Sequence, residues 1–358
     1  MCIIQALYPL LSAFLLSCST EPILQHAAQQ GRGEEIPLKS SIIFFIHGDG
    51  DYLYHDVSGQ PIDADERAVS NARVAAQVSL HAEVFIFHEK RKKHTLWFFP
   101  QRDGEFFYYR AGRLEVQGQY WRFDDGSSFG IETELFRRYR SAGEPDHKRV
   151  VFFFGHEIPE FDGRGYNASH ENTPFTVDTL AACLREFQGG TRPFDLVVLS
   201  TCYGGTPHTI LTLSPYTRYV IASPDNLHLS YFSIPSFVEA STDSSGDAIE
   251  SITERFARAA FDTLATTVYT AVSVATYDVG VVQSYVQSVD SVYNRSLSAL
   301  KAYPVALGEH CDCGLIPELV RPEMSRGVKV FYRPPRFGQS KQTSSHSGWE
   351  CWKTTSTP

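Results

Sequence analysis

The feature of this sequence that most constrains its fold is a series of short apolar runs without period-two alternation. They are Ser41–Ile46 (SIIFFI), Ala82–Phe87 (AEVFIF), Arg149–Phe154 (RVVFFF), Phe194–Leu199 (FDLVVL) and Tyr219–Ala222 (YVIA). An alternating strand has one face in water, whereas a strand that is apolar along its length needs cover on both faces. Between these runs lie segments of helical periodicity. Ala64–Val78 carries Ala and Val at helical spacing, Ile131–Arg140 reads as a short amphipathic helix, and Thr176–Phe187 sets Val177, Leu180, Ala181 and Leu184 on one face. Strand–helix–strand order implies parallel strands joined by right-handed crossovers. The expected class is therefore α/β, with a mostly parallel central sheet flanked by helices.

The remainder of the chain reads differently. Residues 94–123 alternate aromatic and polar groups around Gly104, Gly112 and Gly118, which predicts antiparallel hairpins. Asp247–Phe261 and Val282–Ala302 read as helices of a C-terminal extension, and Gly327–Tyr332 (GVKVFY) as a late strand. One domain is expected over 39–335, with its core at 39–235 and its extension at 236–335. From 336 to 358 the chain is polar and is expected to be disordered.

The start of the chain has the pattern of a targeting segment. Ile3–Leu16 is mostly apolar but too short, and too interrupted by proline, for a membrane span. It ends in Leu15-Leu16-Ser17-Cys18, which resembles a bacterial lipobox. The expectation is a signal peptide over 1–17, a lipid on Cys18 as the mature N-terminus, and a polar flexible tether over 18–38. The protein would then be exported to the bacterial envelope and touch the membrane only through that lipid.

Charge and cysteine usage narrow the chemistry. The net charge is −9 and no sustained basic run occurs, so nucleic acid is not an expected partner. Seven cysteines are present. With Cys2 removed and Cys18 lipidated, Cys183, Cys202, Cys311, Cys313 and Cys351 remain, an odd number that leaves at least one free or paired between chains. Cys311-Asp312-Cys313 has no second pair at metal spacing, so no metal site or other cofactor is expected.

Two residues stand where chemistry is usually placed in such a sheet. His156 and Cys202 each follow the C-terminal end of a buried strand, the edge at which open α/β sheets bind ligands. If the two strands are neighbours, an imidazole and a thiol approach each other there, as a nucleophile and its proton-transfer partner require. Taken singly, each has an ordinary reading: a small core residue for the cysteine and a surface or capping residue for the histidine.

The surrounding blocks carry a resemblance. VVFFFGHE (150–157), FDLVVLSTC (194–202) and SPYTRYVIASPD (214–225), in this order and spacing, resemble the clostripain family of cysteine peptidases, relatives of the caspase-like fold. FFIHGDGDYL (44–53), RAAFDTLATTVYTAVSVATYDV (258–279) and GVKVFYRPP (327–335) extend the resemblance over about 40–335. It implies a caspase-like three-layer sandwich and a polypeptide substrate. Cys202 would be the nucleophile, His156 would protonate the leaving amine, and the backbone N–H groups of Cys202 and Glu157 would form the oxyanion hole. Two positions depart from the family pattern: Glu157 replaces a glycine, and Ser200 replaces the aspartate that selects a basic P1 residue. Asp225 is a candidate substitute acid, with a turn residue after Pro224 as its plainer reading.

Two rival readings follow from the same residues. Gly126-Ser127-Ser128-Phe129-Gly130 matches G-x-S-x-G, and FIHG (45–48) imitates an oxyanion strand, so an α/β-hydrolase with Ser128 as nucleophile is one rival. Charge at Asp124 and Asp125, where a buried strand should precede the serine, argues against it. The other rival is a binding module whose peptidase activity has decayed, for which Glu157 and Ser200 speak. The lipobox reading yields a direct test. Cys18→Ser is expected to move the protein from the membrane fraction to the soluble fraction, and unchanged fractionation would count against a lipid.

Overall fold

The structure, a computed structural model, describes residues 21–27, 36–48, 53–55, 60–95, 99–122, 129–141, 147–169, 171–190, 192–224, 227, 248–288 and 327–336. Its centre is five parallel strands: β2 (Ser40–Gly48), β5 (Ala82–Lys90), β10 (Lys148–Phe154), β11 (Phe194–Ser200) and β12 (Thr217–Ala222). They lie in the order β5-β2-β10-β11-β12. Antiparallel strands widen both sides. On one side stand β8 (Gly104–Arg110), β9 (Arg113–Tyr120) and β1 (Ile23–His26), and on the other β13 (Val272–Asp278) and β14 (Val328–Arg333). Short ribbons pair β3 (Leu53–His55) with β4 (Pro61–Asp63) and β6 (His94–Thr95) with β7 (Phe99–Pro100). The helices are α1 (Ala64–Val78), α2 (Gly130–Tyr139), α3 (Val177–Gln188), α4 (Pro207–Leu213), α5 (Ile249–Thr267) and α6 (Val279–Ser288).

The strand order explains where the helices go. From β2 the chain moves one way to β5, and from β10 it moves the other way through β11 to β12. Right-handed crossovers then place the connecting helices on opposite faces. Accordingly α1 contributes Ala68, Ala72 and Ala75 to the core on one face, joined by Ile252, Phe256 and Ala260 of α5. On the other face α2, α3 and α4 supply Phe136, Leu180, Leu184, Phe187 and Ile210. Each central strand is divided between the two cores by its pleat: Ile42 and Phe44 face one, Ile43 and Phe45 the other, all at 0–1% exposure. This is the three-layer arrangement that the apolar runs require.

Helix ends follow local chemistry. Asp63 caps α1 by accepting from the backbone N–H groups of Asp65 and Glu66. Thr176 and Thr179 form a reciprocal capping box at the start of α3, and Gly189, at φ +61°, closes it in the left-handed conformation that glycine adopts without strain. Aromatic rings fill the α2/α3 side. Phe45 stacks on Phe129 at 4.6 Å and on Phe87 at 5.6 Å, and meets the edge of Phe187 at 5.0 Å.

Several expectations are corrected in detail. The segment 18–38 was expected to be a tether, yet Ile23–His26 pairs antiparallel with Gln119–Val116 of β9. The open backbone edge of β9 offers hydrogen bonds that a short extended segment can complete. The part after 236 supplies more than helices, because β13 and β14 extend the central sheet. Its first helix runs to Thr267, beyond the expected Phe261. The helix expected over 282–302 starts earlier, at Val279, and residues 289–326 lie outside the described residues. The short helix α4 had no counterpart in the sequence reading. Because Phe45 is fully enclosed by rings, Phe45→Ala should lower unfolding free energy by about 3–5 kcal/mol in urea denaturation.

Candidate active site

Strands β2 and β10 are where the chain's direction across the sheet reverses, and such a switch leaves a crevice at the carboxyl ends of the strands. Three loops leave the sheet there, after β2, β10 and β11. The register of β10 and β11 is fixed by pairs from Val150↔Leu196 to Phe154↔Ser200. His156 lies two residues beyond Phe154, and Cys202 two residues beyond Ser200. The two residues therefore follow the ends of adjacent parallel strands at the same level, the strands lying about 4.8 Å apart in the sheet. His156 is exposed and Cys202 half-buried.

The turn that carries Cys202 is tightly built. Tyr203 has φ 51°, an uncommon conformation for a residue with a Cβ, directly after the cysteine. Gly205 follows, donating its N–H to the Ser223 carbonyl at 2.9 Å and accepting from the Tyr277 hydroxyl at 3.1 Å. A Cβ on Gly205 would lie 2.5 Å from that hydroxyl oxygen, so only glycine fits. Thr206 then caps α4, accepting from the Thr209 N–H at 3.1 Å. The Cys202 sulfur itself meets both peptide groups of Leu227. It accepts from the Leu227 N–H at 3.3 Å and lies 3.5 Å from the Leu227 carbonyl. The described cysteines other than Cys202 reduce to Cys183, which is buried in α3. Burial pushes the Cys183 thiol up to about 12, leaving it unreactive at neutral pH.

The segment 155–176, which carries His156, is long but pinned. Gly155 is crowded: a Cβ there would come within 2.8 Å of the Tyr166 hydroxyl oxygen. Gly163, at φ +63°, packs its backbone onto Phe175, and the Phe175 N–H donates to the Gly163 carbonyl at 3.1 Å. Asn167 reaches under the loop and donates its side-chain amide to Glu89 of β5, which also forms an ion pair with Arg122. Glu160 accepts a hydrogen bond from the Thr206 hydroxyl. Burial pushes the Glu160 carboxyl up to about 7, with the neighbouring charge of Glu157 adding to the shift.

Behind this loop lies a buried polar group at the end of β2. His47 is enclosed by the rings of Phe153, Phe175 and Phe129 at 4.7, 5.2 and 5.4 Å, with Glu89 at 3.5 Å from Nδ1. Burial, with help from the charge of Arg122, holds the His47 imidazole well below its ordinary value, so it is neutral at pH 7. His47 therefore packs as an aromatic residue rather than opening an oxyanion site.

Of the residues singled out from the sequence, His156, Glu157 and Cys202 gather at this one edge. Ser200 is the last residue of β11, with its side chain fully buried. Asp225, Ser128, Cys18, Cys311, Cys313 and Cys351 lie outside the described residues. The sequence reading missed Glu89, Arg122, Asn167, Glu160 and Thr206. Only Thr206-Pro207, an N-cap residue followed by a proline at the first helical position, carried a readable local signal. Among the described residues no group of His, Cys, Asp and Glu could hold a metal ion, and no helix is long and apolar enough to cross a membrane.

An imidazole and a thiol at adjacent strand ends of a three-layer α/β sheet are what a cysteine peptidase of this architecture needs. Residues 155–324, which include both, match the sequence profile of the clostripain family, peptidase C11. The match supports a cysteine peptidase as the class of enzyme. No curated protein sequence matches the chain. Solved structures with a similar course include the secreted C11 cysteine protease iotapain of Bacteroides thetaiotaomicron, at 10% identity and TM-score 0.49, covering 80% of this chain and 76% of that one. A peptide-inhibitor complex of a secreted C11 cysteine protease from the same organism gives 11% and 0.46, over 68% and 67% of the two chains. An inactive zymogen C11 protease of Parabacteroides distasonis gives 10% and 0.46, over 73% and 65%. At such identities shape does not transfer chemistry.

The buried Glu89–Arg122 pair supplies a stability test for the floor of this site. Arg122→Met strands the Glu89 carboxylate in the interior, and should cost about 3–5 kcal/mol in urea denaturation. The double variant Arg122→Met with Glu89→Gln should recover part of that loss, because the Glu89 charge is then gone while Glu132, the other buried carboxyl that Arg122 faces, remains.

Proposed function

We propose that this protein is a cysteine endopeptidase with Cys202 as nucleophile and His156 as its proton-transfer partner. The observation that carries the reading is the strand register: Phe154 opposite Ser200 sets the two loops out from the same level of adjacent strands. The family match over 155–324 supports it independently. In this mechanism the thiol proton passes to His156 and the thiolate attacks the scissile carbonyl carbon, forming a C–S bond. Charge on the carbonyl oxygen is met by the backbone N–H groups of Cys202 and Glu157. His156 returns the proton to the leaving amine as the C–N bond breaks. Water then hydrolyses the thioester, its proton taken by His156, and the thiol is restored.

The Glu157 carboxylate is the unusual feature beside such an oxyanion site. The reading requires it to point outward, and its half-buried position is compatible with that. Ser200 stands where the family's P1-selecting aspartate would be; its side chain is fully buried and cannot neutralise a guanidinium, and an unpaired cation in a pocket costs several kcal/mol. The proposed preference is therefore for a small or uncharged P1 residue, with Asp225 the alternative acid should basic residues be cleaved. Export, with a lipid on Cys18, completes the proposal and would place the enzyme at the bacterial envelope.

Labelling by a thiol-directed activity probe tests the reading. Cys202→Ala should abolish labelling and lower peptide turnover by at least about 10³-fold, and a labelled Cys202→Ala variant would overturn the assignment. For specificity, Ser200→Asp puts a carboxylate at a fully buried position. It should lower the melting temperature of the free enzyme and raise cleavage after Arg. Selective cleavage after Arg or Lys by the unaltered protein would refute the pocket assignment.

A further inference from the structure

We propose that Glu160 and Thr206 form a strap that positions His156 against Cys202, making them positioning residues for the reaction; this rests on the dyad assigned above. The strap keeps the 46-residue offset of the strands themselves. Phe154 pairs with Ser200 in the sheet, and Glu160 is joined to Thr206 beyond it at the same spacing. The two candidate catalytic residues thus lie inside a closed ring. Its lower tie is the backbone pairing of β10 and β11, and its upper tie is the bond between the side chains of Glu160 and Thr206.

The two anchors differ in firmness. Thr206 is 4% exposed and fixed three ways: its hydroxyl meets Glu160, lies 3.0 Å from the Thr209 hydroxyl, and accepts from the Thr209 N–H. Its helix is held by Ile210 and Leu213 in the core. Glu160 stands on the irregular segment after β10, four residues past His156. Beside the strap, Phe161 packs on His208 of α4 with ring centroids at 5.6 Å, so polar and aromatic contacts join the same two segments. Ile158 in the core and the Pro159 carbonyl, which accepts from the Val177 N–H at 3.0 Å, tie this stretch to the body of the protein, and the strap adds the polar tie to the segment that carries Cys202. Misplacement of a catalytic group by 1 Å is enough to lower rates about 100-fold.

The geometry also gives the strap a pH response. Glu160 faces Thr206 and the carboxylate of Glu157, with the His208 ring one residue along, and burial holds its pKa near 7. The neutral carboxyl is the form favoured in the folded protein. Its folded pKa lies above the ordinary glutamate value, so the folded state binds more protons than the unfolded state between the two values. Burial favours the neutral carboxyl and the Thr206 hydroxyl the ionised one, with burial the larger effect, so the stability that Glu160 contributes is full below the ordinary glutamate value and is lost as pH rises from there to about 7.

The test measures the rate of Cys202 alkylation by iodoacetamide, and kcat/KM on an unstructured peptide, from pH 5.5 to 8.5 on the full chain. Glu160→Ala and Thr206→Val are each expected to lower kcat/KM by about 10- to 100-fold, mainly in kcat, and the double variant no further than either alone. Glu160→Gln, which still accepts from Thr206 but cannot ionise, should restore most of the rate and remove the inflection near 7. Thr206→Ser should likewise restore it, and decides the matter should Glu160→Ala fail to fold. His156→Ala separates the two layers of the argument. If it slows both reactions while Glu160→Ala and Thr206→Val do not, the strap is overturned and the dyad stands. If His156→Ala changes neither rate, the dyad itself fails. Equal losses of melting temperature in Glu160→Ala and Thr206→Val, with rates and pH profile unchanged, would reduce the pair to a structural contact and overturn the proposal.

Discussion

The structure depends on one pairing above all, the parallel ladder between β10 and β11. Its register, Phe154 opposite Ser200, decides which residues leave the sheet together. Because side chains alternate along a strand, a slip of one residue would exchange the two faces of β11 and send Val197 and Leu199 to the wrong core. Those residues pack with α3 and α4, whereas Leu196 and Val198 pack with α5. The register is thus held by burial on both faces. The arrangement of His156 and Cys202 at the strand ends follows from packing deep in the sheet.

Polar interactions then do what the apolar core cannot. Hydrophobic burial is non-directional, so it builds the sheet but does not aim an imidazole. Directional ties hold the segment after β10: Asn167 to Glu89, Phe175 to Gly163, and Glu160 to Thr206. The Glu89–Arg122 pair is almost wholly buried, with side-chain exposures of 6% and 8%, and fixes one end of this system. Such a pair adds little net stability compared with apolar packing, but it allows few alternative geometries. Its position below the candidate site suits a segment that has no regular structure of its own.

The candidate nucleophile occupies the less relaxed side of the site. Tyr203 takes a left-handed conformation immediately after Cys202, and Gly205 admits no side chain against Tyr277. Tight turns of this kind expose a side chain between a strand and a helix, as a nucleophile requires. Cys183 shows the contrast within one chain, since it is buried on a helix with its thiol pushed up to about 12. Environment, rather than residue type, separates the two cysteines.

The sequence by itself determined the layers, the parallel centre and the two strand ends that bear His156 and Cys202. Those features are written in local periodicity: runs such as RVVFFF and FDLVVL exclude a wet face, and the capping box at Thr176 and Thr179 marks a helix start. The resemblance to clostripain-like blocks was legible because it lies in the order of these same runs. What the tertiary structure decided is everything that joins segments far apart in the chain. Ile23–His26 became a strand only because β9 presented an open edge. Asn167 and Glu89 are 78 residues apart, and Glu160 and Thr206 are 46 apart. No local pattern marks an isolated glutamate as the partner of a distant threonine. That pairing exists only once the sheet register has brought their loops side by side.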